Sequence, residues 1–127
     1  MTDKELVDLA YEAEKMAYAP YSKFSVGAAL LTEKGNVYMG CNVENSSLGA
    51  TVCAERTAAL KAVSEGDRRF SAIAVVSSSE EFTYPCGICR QFLSEFMKDD
   101  GRIILHDREK GIKVYTLGEL IPEAFIL

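Results

Sequence analysis

Three cysteines in two short motifs are the residues best suited to chemistry in this chain of 127 residues. Cys86 and Cys89 form a C-x-x-C pair, and Cys53 precedes Glu55 by two positions. A C-x-x-C pair at the start of a helix is typical of either a redox dithiol or a metal site, because the helix dipole stabilises a thiolate there. The third cysteine favours a metal, since three thiolates bind tetrahedral zinc and leave one position open, as in catalytic sites.

The fourth cysteine, Cys41, is expected to lie outside this cluster. Side chains alternate along the predicted strand at residues 36–44, so Cys41 shares an apolar face with Val37 and Met39. A free cysteine behaves as a small hydrophobic residue, and we therefore predict that Cys41 is buried in the core. The alternative is a structural zinc module, which requires Cys41 as the fourth ligand.

Glu55 is the candidate for proton transfer. It lies about 200° from Cys53 around a regular helix, so it is poorly placed to bind the same ion. A carboxylate that neighbours zinc without binding it can accept a proton from water and deliver it to a substrate nitrogen. An isolated glutamate on a helix is usually solvated. The position of Glu55 beside Cys53 favours the catalytic role.

The apolar pattern predicts the elements that must position these groups. A capping box at residues 2–5 begins an amphipathic helix that ends before Pro20. Two strands follow at residues 25–32 and 36–44, and Thr51 is predicted to cap the buried helix that contains Cys53.

Pro85 is predicted to begin a third helix, which continues through Leu93, Phe96 and Met97. The remaining elements are strands at residues 73–76 and 103–105, a strand near Val114 and a helical turn at residues 117–120. A strand, helix, strand succession implies a parallel crossover, with helices on both faces of a mixed sheet. We therefore expect one α/β domain over residues 1–127: a three-layer α-β-α sandwich around a mixed five-stranded sheet.

Composition excludes several classes of protein. The chain is 48% hydrophobic and 26% charged, as in ordinary globular domains, and its net charge of −5 has the wrong sign for a nucleic-acid partner. Charged residues at the start of the chain and the lack of a long apolar run disfavour a signal peptide or a membrane partner. We expect a cytoplasmic protein with reduced thiols, and we expect His106 at its surface.

Four ordered motifs together resemble the small cytidine deaminases that bind zinc through three cysteines. The motifs occupy residues 24–29, 42–45, 53–56 and 85–91, and the resemblance extends from Tyr18 to Phe125. It implies one zinc ion per chain, bound by Cys53, Cys86 and Cys89, and hydrolytic deamination of cytidine and 2′-deoxycytidine in pyrimidine salvage. In this mechanism Glu55 transfers the protons.

The resemblance also implies that Phe24, Asn42 and Glu44 bind the nucleoside. Asn42 and Glu44 share the polar face of their predicted strand at a spacing of about 7 Å, which suits two ribose hydroxyls. Three thiolates give the zinc site a net negative charge, and we expect the Arg56 guanidinium to offset it by donating to a sulfur. Arg90 and Gln91 are expected either to stabilise the loop that contains Cys86 or to contribute to a contact between subunits.

A homotetramer whose pockets are completed by neighbouring subunits is a further implication of the resemblance. Phe125 matches an aromatic residue that in the family reaches a neighbouring pocket, although packing of the terminus is an equal alternative. Leu48 lies where the family often has an aromatic residue, which puts the subunit contact there in doubt. A deaminase for another exocyclic amine, such as that of a modified nucleoside, remains the runner-up activity.

Overall fold

The computed structural model describes residues 1–127 and confirms the expected α/β class. Its elements are α1 (Asp3–Glu14), β1 (Val26–Thr32), β2 (Val37–Cys41), α2 (Ala54–Ser64), β3 (Phe70–Ser77), α3 (Gly87–Ser94), β4 (Met97–Asp107), β5 (Gly111–Thr116) and α4 (Leu117–Leu120). A short 3-10 turn at Leu48–Ala50 precedes α2. None of these helices has both the length and the apolar character that crossing a membrane requires.

All five strands form one sheet in the order β2-β1-β3-β4-β5. Only β3 and β4 are parallel, and α3 lies between them in the chain, so the expected crossover is present. The other neighbouring pairs are antiparallel. The mixed five-stranded sheet is therefore confirmed.

Helices cover both faces of the sheet and complete the three layers. Small residues of α2 allow that helix to approach the sheet closely, where Gly40 of β2 meets its backbone. On the opposite face, α1 buries Leu6, Val7 and Ala10 against the sheet. Because α2 and α3 lie on the same face and contact each other, their N-terminal ends meet there.

Two helix boundaries differ from the sequence prediction. The second helix is not capped by Thr51: it begins at Ala54 with Cys53 as its N-cap, because the backbone of Val52 pairs with Val43 in an isolated bridge. The third helix begins at Gly87 and ends at Ser94, so the expectation that it includes Met97 was wrong. Met97 instead pairs with Phe70 and begins β4.

Two single residues also differ from expectation. Cys41 is only half-buried, because β2 is an edge strand whose outer face is incompletely covered. The prediction that Cys41 belongs to the core was therefore wrong. His106 is half-buried rather than a surface residue, since its Nδ1 lies 2.7 Å from the Tyr11 hydroxyl and its ring stands perpendicular to the Tyr11 ring.

Candidate metal centre and active site

The fold brings together Cys53, Cys86 and Cys89. Their Sγ atoms all lie within 4.8 Å of one another, and the Cys53 and Cys86 sulfurs are 3.9 Å apart. Cys53 is the N-cap of α2, Cys86 is the N-cap of α3, and Cys89 follows in the first turn of α3. Two helix dipoles thus direct their positive ends toward the thiols, which favours the thiolate forms that bind metals.

The burial of the three thiols differs and defines an inner and an outer side of the cluster. Cys89 is buried, Cys53 is half-buried and Cys86 is exposed. Cys41 does not belong to the group, so these cysteines do not form the closed four-thiol site that a structural zinc module requires. Three thiols with access from one side match the ligand count of a catalytic zinc site.

Arg56 supplies the positive charge beside the cluster. Its Nη2 donates to Cys53 Sγ over 3.6 Å, and its buried Nε has no hydrogen-bond partner. Hydrogen bonds from Cys89 and then from Arg56 lower the pKa of Cys53 to about 5, although burial opposes this shift. The hydrogen bond between Cys53 and Cys89 in turn raises the pKa of the Cys89 thiol.

This donor set fits zinc. Three thiolates and Zn²⁺ sum to a single negative charge, and a guanidinium in contact with one sulfur offsets that charge. The Nε atom of the same guanidinium is a second, buried hydrogen-bond donor, and it has no partner. The three-cysteine cluster thus offers the ligands for one zinc ion per chain.

Glu55 lies beside the thiols on α2 and is 4% exposed. Burial raises the pKa of its carboxyl to about 7, and the neighbouring Cys53 thiolate adds to this effect. A carboxyl with a pKa near neutrality exists in both protonation states at physiological pH, so it can accept and return a proton. Glu55 is thus buried beside the thiols, and its catalytic role stays a prediction.

A largely apolar cavity of about 190 Å³ contains this carboxyl and two of the thiols. Its lining consists of Phe24, Val26, Asn42, Thr51, Cys53, Ala54, Glu55, Thr83, Tyr84 and Cys86. Larger surface cavities lie elsewhere, but none of them includes a residue of the cysteine cluster. The chemistry and the cavity therefore coincide at the N-terminal ends of α2 and α3.

Two of the three expected nucleoside-binding residues line this cavity. The Asn42 side-chain oxygen accepts from Val26 N and its nitrogen donates to Phe24 O, each over 2.8 Å, so Asn42 holds the segment that carries Phe24. Glu44 does not line the cavity and instead accepts from the Ser22 hydroxyl and from the backbone amides of Tyr21 and Ser22. These hydrogen bonds, chiefly from the Ser22 side chain, lower the pKa of Glu44.

The residues after the C-x-x-C pair connect the site to the end of the chain. Arg90 donates to Pro85 O over 2.7 Å and to Leu120 O over 2.8 Å, so it braces the loop before Cys86. Gln91 donates to Phe125 O over 2.7 Å.

The structure leaves some expected contact residues at the surface. The side chains of Leu48 and Phe125 are exposed.

Thr83 and Tyr84 also line the cavity, although the sequence pattern did not identify them as site residues. Their position immediately before Pro85 and Cys86 could have indicated that they lie close to the cysteine cluster.

An α-β-α fold with a helix-borne thiol cluster and a buried glutamate defines a zinc-dependent deaminase. Residues 1–106 match the family described as "Cytidine and deoxycytidylate deaminase zinc-binding region", and the chain belongs to this family. It is 47% identical to a cytidine deaminase of Sporosarcina psychrophila over 125 residues, which cover 98% of this chain and 92% of the relative. A cytidine deaminase of Halalkalibacterium halodurans is 46% identical, with 98% of this chain and 95% of the relative covered.

Solved structures show the same likeness in three dimensions. The crystal structure of cytidine deaminase from Burkholderia pseudomallei has a TM-score of 0.92 and 46% identity, covering 98% of this chain and 100% of that one. Cytidine deaminase from Mycobacterium tuberculosis has a TM-score of 0.87 and 38% identity, with 100% and 99% covered. These matches confirm the fold and the family that the sequence motifs indicate.

Proposed function

We propose that this protein catalyses the hydrolytic deamination of cytidine and 2′-deoxycytidine to uridine and 2′-deoxyuridine, with release of ammonia, in pyrimidine salvage. The observation that carries the proposal is the buried Glu55 carboxyl in one cavity with the Cys53 and Cys86 thiols. The similarity of nearly the whole chain to cytidine deaminases supports the choice of a nucleoside substrate.

Cys53, Cys86 and Cys89 would hold the zinc ion in this proposal, and Arg56 would offset the charge of the thiolates. When bound, zinc lowers the pKa of coordinated water and so makes a nucleophile available at neutral pH. Glu55 accepts a proton from the attacking water and delivers it to N3 of the cytosine ring. After water has added at C4, the same carboxyl takes the remaining proton from the new C4 hydroxyl and transfers it to the amine. The C4–N bond then breaks, ammonia leaves, and C4 becomes the carbonyl carbon of uridine.

Phe24, Asn42 and Glu44 would bind the substrate. Phe24 is 39% exposed and lines the cavity, where its ring offers an aromatic surface to the base or sugar. The lowered pKa of Glu44 keeps its carboxylate ionised, and a carboxylate has more acceptor sites than its present partners use. Glu44 is thereby suited to accept a hydrogen bond from a ribose hydroxyl. Asn42 Oδ1, which already accepts from Val26 N, has a second lone pair for another hydroxyl.

The assembly is a further part of the proposal. We infer a homotetramer in which neighbouring subunits complete each pocket, and the exposure of Leu48, Ile88 and Phe125 supports this inference. We also propose that residues 1–127 act as one catalytic domain in the cytoplasm, where thiols stay reduced and able to bind zinc. Light scattering during gel filtration tests the assembly, and a monomer contradicts it.

The activity is tested by the ultraviolet absorbance change of cytidine incubated with purified protein of measured zinc content. Glu55→Ala is compared with Glu65→Ala, which removes an exposed glutamate just after the same helix. We expect the wild type and Glu65→Ala to convert cytidine, and Glu55→Ala to retain zinc but lose nearly all turnover. Substantial turnover by Glu55→Ala refutes its role, and a zinc-loaded but inactive wild type directs the search to other amines.

A further inference from the structure

Tyr84 lines the catalytic cavity two residues before Cys86 and has no role in the mechanism described above. Its ring is partly exposed, and together with Phe24 it supplies the aromatic part of the lining. The cavity is small, at about 190 Å³, so the position of such a large side chain limits what the cavity can accept.

A contact with the edge of the sheet holds the Tyr84 ring in place. The hydroxyls of Tyr84 and Tyr115 lie 3.2 Å apart, and the ring centroids are 5.7 Å apart at an angle of 60°. Lys113 Nζ lies 5.0 Å from the Tyr115 ring centroid, a distance at which a cation attracts an aromatic face. The cavity wall is thus tied to β5, and Tyr84 cannot withdraw from a bulky ligand without losing its contact with Tyr115.

The mechanism determines which part of the base approaches this wall, and the following inference rests on the proposed function. Glu55 transfers a proton to N3, so the N3 edge of the cytosine faces α2, while C4 faces the cysteine cluster. C5 is the other ring neighbour of C4 and therefore lies away from Glu55. Among the lining residues, Thr83 and Tyr84 belong to the segment that leads into Cys86 and not to α2, so we place C5 against this segment.

We propose that Tyr84 is a specificity-determining residue that limits the size of the substituent accepted at C5 of the cytosine ring. Tyr115 is a positioning residue that acts through the Tyr84 hydroxyl. One methyl group is enough to test this, because a single methylene in a fitted pocket changes kcat/KM by about 10-fold to 200-fold. The Tyr84 ring, held by Tyr115, opposes the methyl group, whereas a truncated side chain leaves room for it.

The experiment compares kcat/KM for 5-methylcytidine and for cytidine in four proteins. We expect Tyr84→Ala to raise the ratio of the two constants, 5-methylcytidine to cytidine, by about 10-fold or more over the wild type. Tyr115→Phe should raise it by about threefold, since it removes one neutral hydrogen bond and leaves the Tyr84 ring present. Val114→Ala, an exposed change on the same strand, is the control and should leave the ratio unchanged.

The outcomes separate this inference from the proposed function. If Tyr84→Ala still converts cytidine but its ratio stays within twofold of the wild-type value, the role of Tyr84 is refuted. If Tyr84→Ala does not fold, an unchanged ratio in Tyr115→Phe refutes it instead. A zinc-loaded wild type that converts neither nucleoside refutes the proposed function. It also refutes the role of Tyr84, which depends on that function.

Discussion

Replacing Gly40 by alanine should impair catalysis without altering any of the proposed zinc ligands or Glu55. Gly40 lies in β2 directly against α2, the helix that begins just after Cys53 and carries Glu55. A Cβ at position 40 would lie 2.4 Å from Ala58 N and 2.5 Å from Ala54 O, both of them backbone atoms of α2. Backbone atoms cannot rotate away as a side chain does, so the helix itself must move.

The size of that movement follows from the same distances. An ordinary Cβ contact begins at 3.4 Å, so α2 must shift by about 1 Å to accommodate the methyl group. A misplacement of about 1 Å costs about 100-fold in rate when it separates catalytic groups from their substrate. We therefore expect kcat for cytidine to fall about 100-fold and the free energy of unfolding to fall by about 1–3 kcal/mol, as in other overpacked cores.

Gly27→Ala is the matched control. Its Cβ would lie 2.1 Å from Ala10 O and 2.5 Å from Glu14 N, which is a comparable clash with α1 on the opposite face of the sheet. Urea unfolding should show a loss of stability in both variants, but steady-state kinetics should show a large loss of kcat only in Gly40→Ala. A folded Gly40→Ala with wild-type kcat, or equal losses of kcat in both variants, refutes the reasoning.

Three further predictions concern charged side chains. Arg56→Gln should weaken zinc binding about 10-fold to 100-fold, because the guanidinium no longer offsets the thiolate charge; competition with a chromophoric chelator measures this, and unchanged affinity contradicts it. Arg90→Met removes hydrogen bonds of 2.7 and 2.8 Å to two backbone carbonyls and should lower the free energy of unfolding by about 3 kcal/mol, measured in urea; a change below about 1 kcal/mol contradicts it. Arg102 lowers the pKa of Asp3 below its ordinary value of 3.8, so the ionised pair stabilises the fold above that pH and this contribution is lost as the pH falls below it. Asp3→Asn should therefore cost less than about 1 kcal/mol at pH 7, and a cost that does not diminish as the pH falls below 3.8 contradicts the assignment.

Much of the site was predictable because its signals are local. Cys86 and Cys89 are one helical turn apart, and Glu55 follows Cys53 by two residues, so residue type and spacing already indicate the chemistry. The four helices and five strands follow from apolar periodicity in the same way. Membership of a deaminase family was recognisable for the same reason, since its motifs are short and contiguous in sequence.

Other features depend on contacts between distant segments. Burial of Glu55 raises the pKa of its carboxyl to about 7, and no pattern along the chain reports the burial of one side chain. Pairing of Val52 with Val43 delays the start of α2, and pairing of Met97 with Phe70 ends α3 early. In each case a long-range backbone contact overrides the local preference.

The sequence by itself therefore determined the kind of chemistry, the zinc ligands to expect and the layered α/β fold, because each depends on residue types at short spacing. Only the tertiary structure decided that Cys41 is half-buried and not part of the core, and that Tyr84 of the cavity wall contacts Tyr115. The physical reason is the same for both. Burial and cavity shape are properties of surfaces that meet across the sheet, and they exist only once the chain has folded.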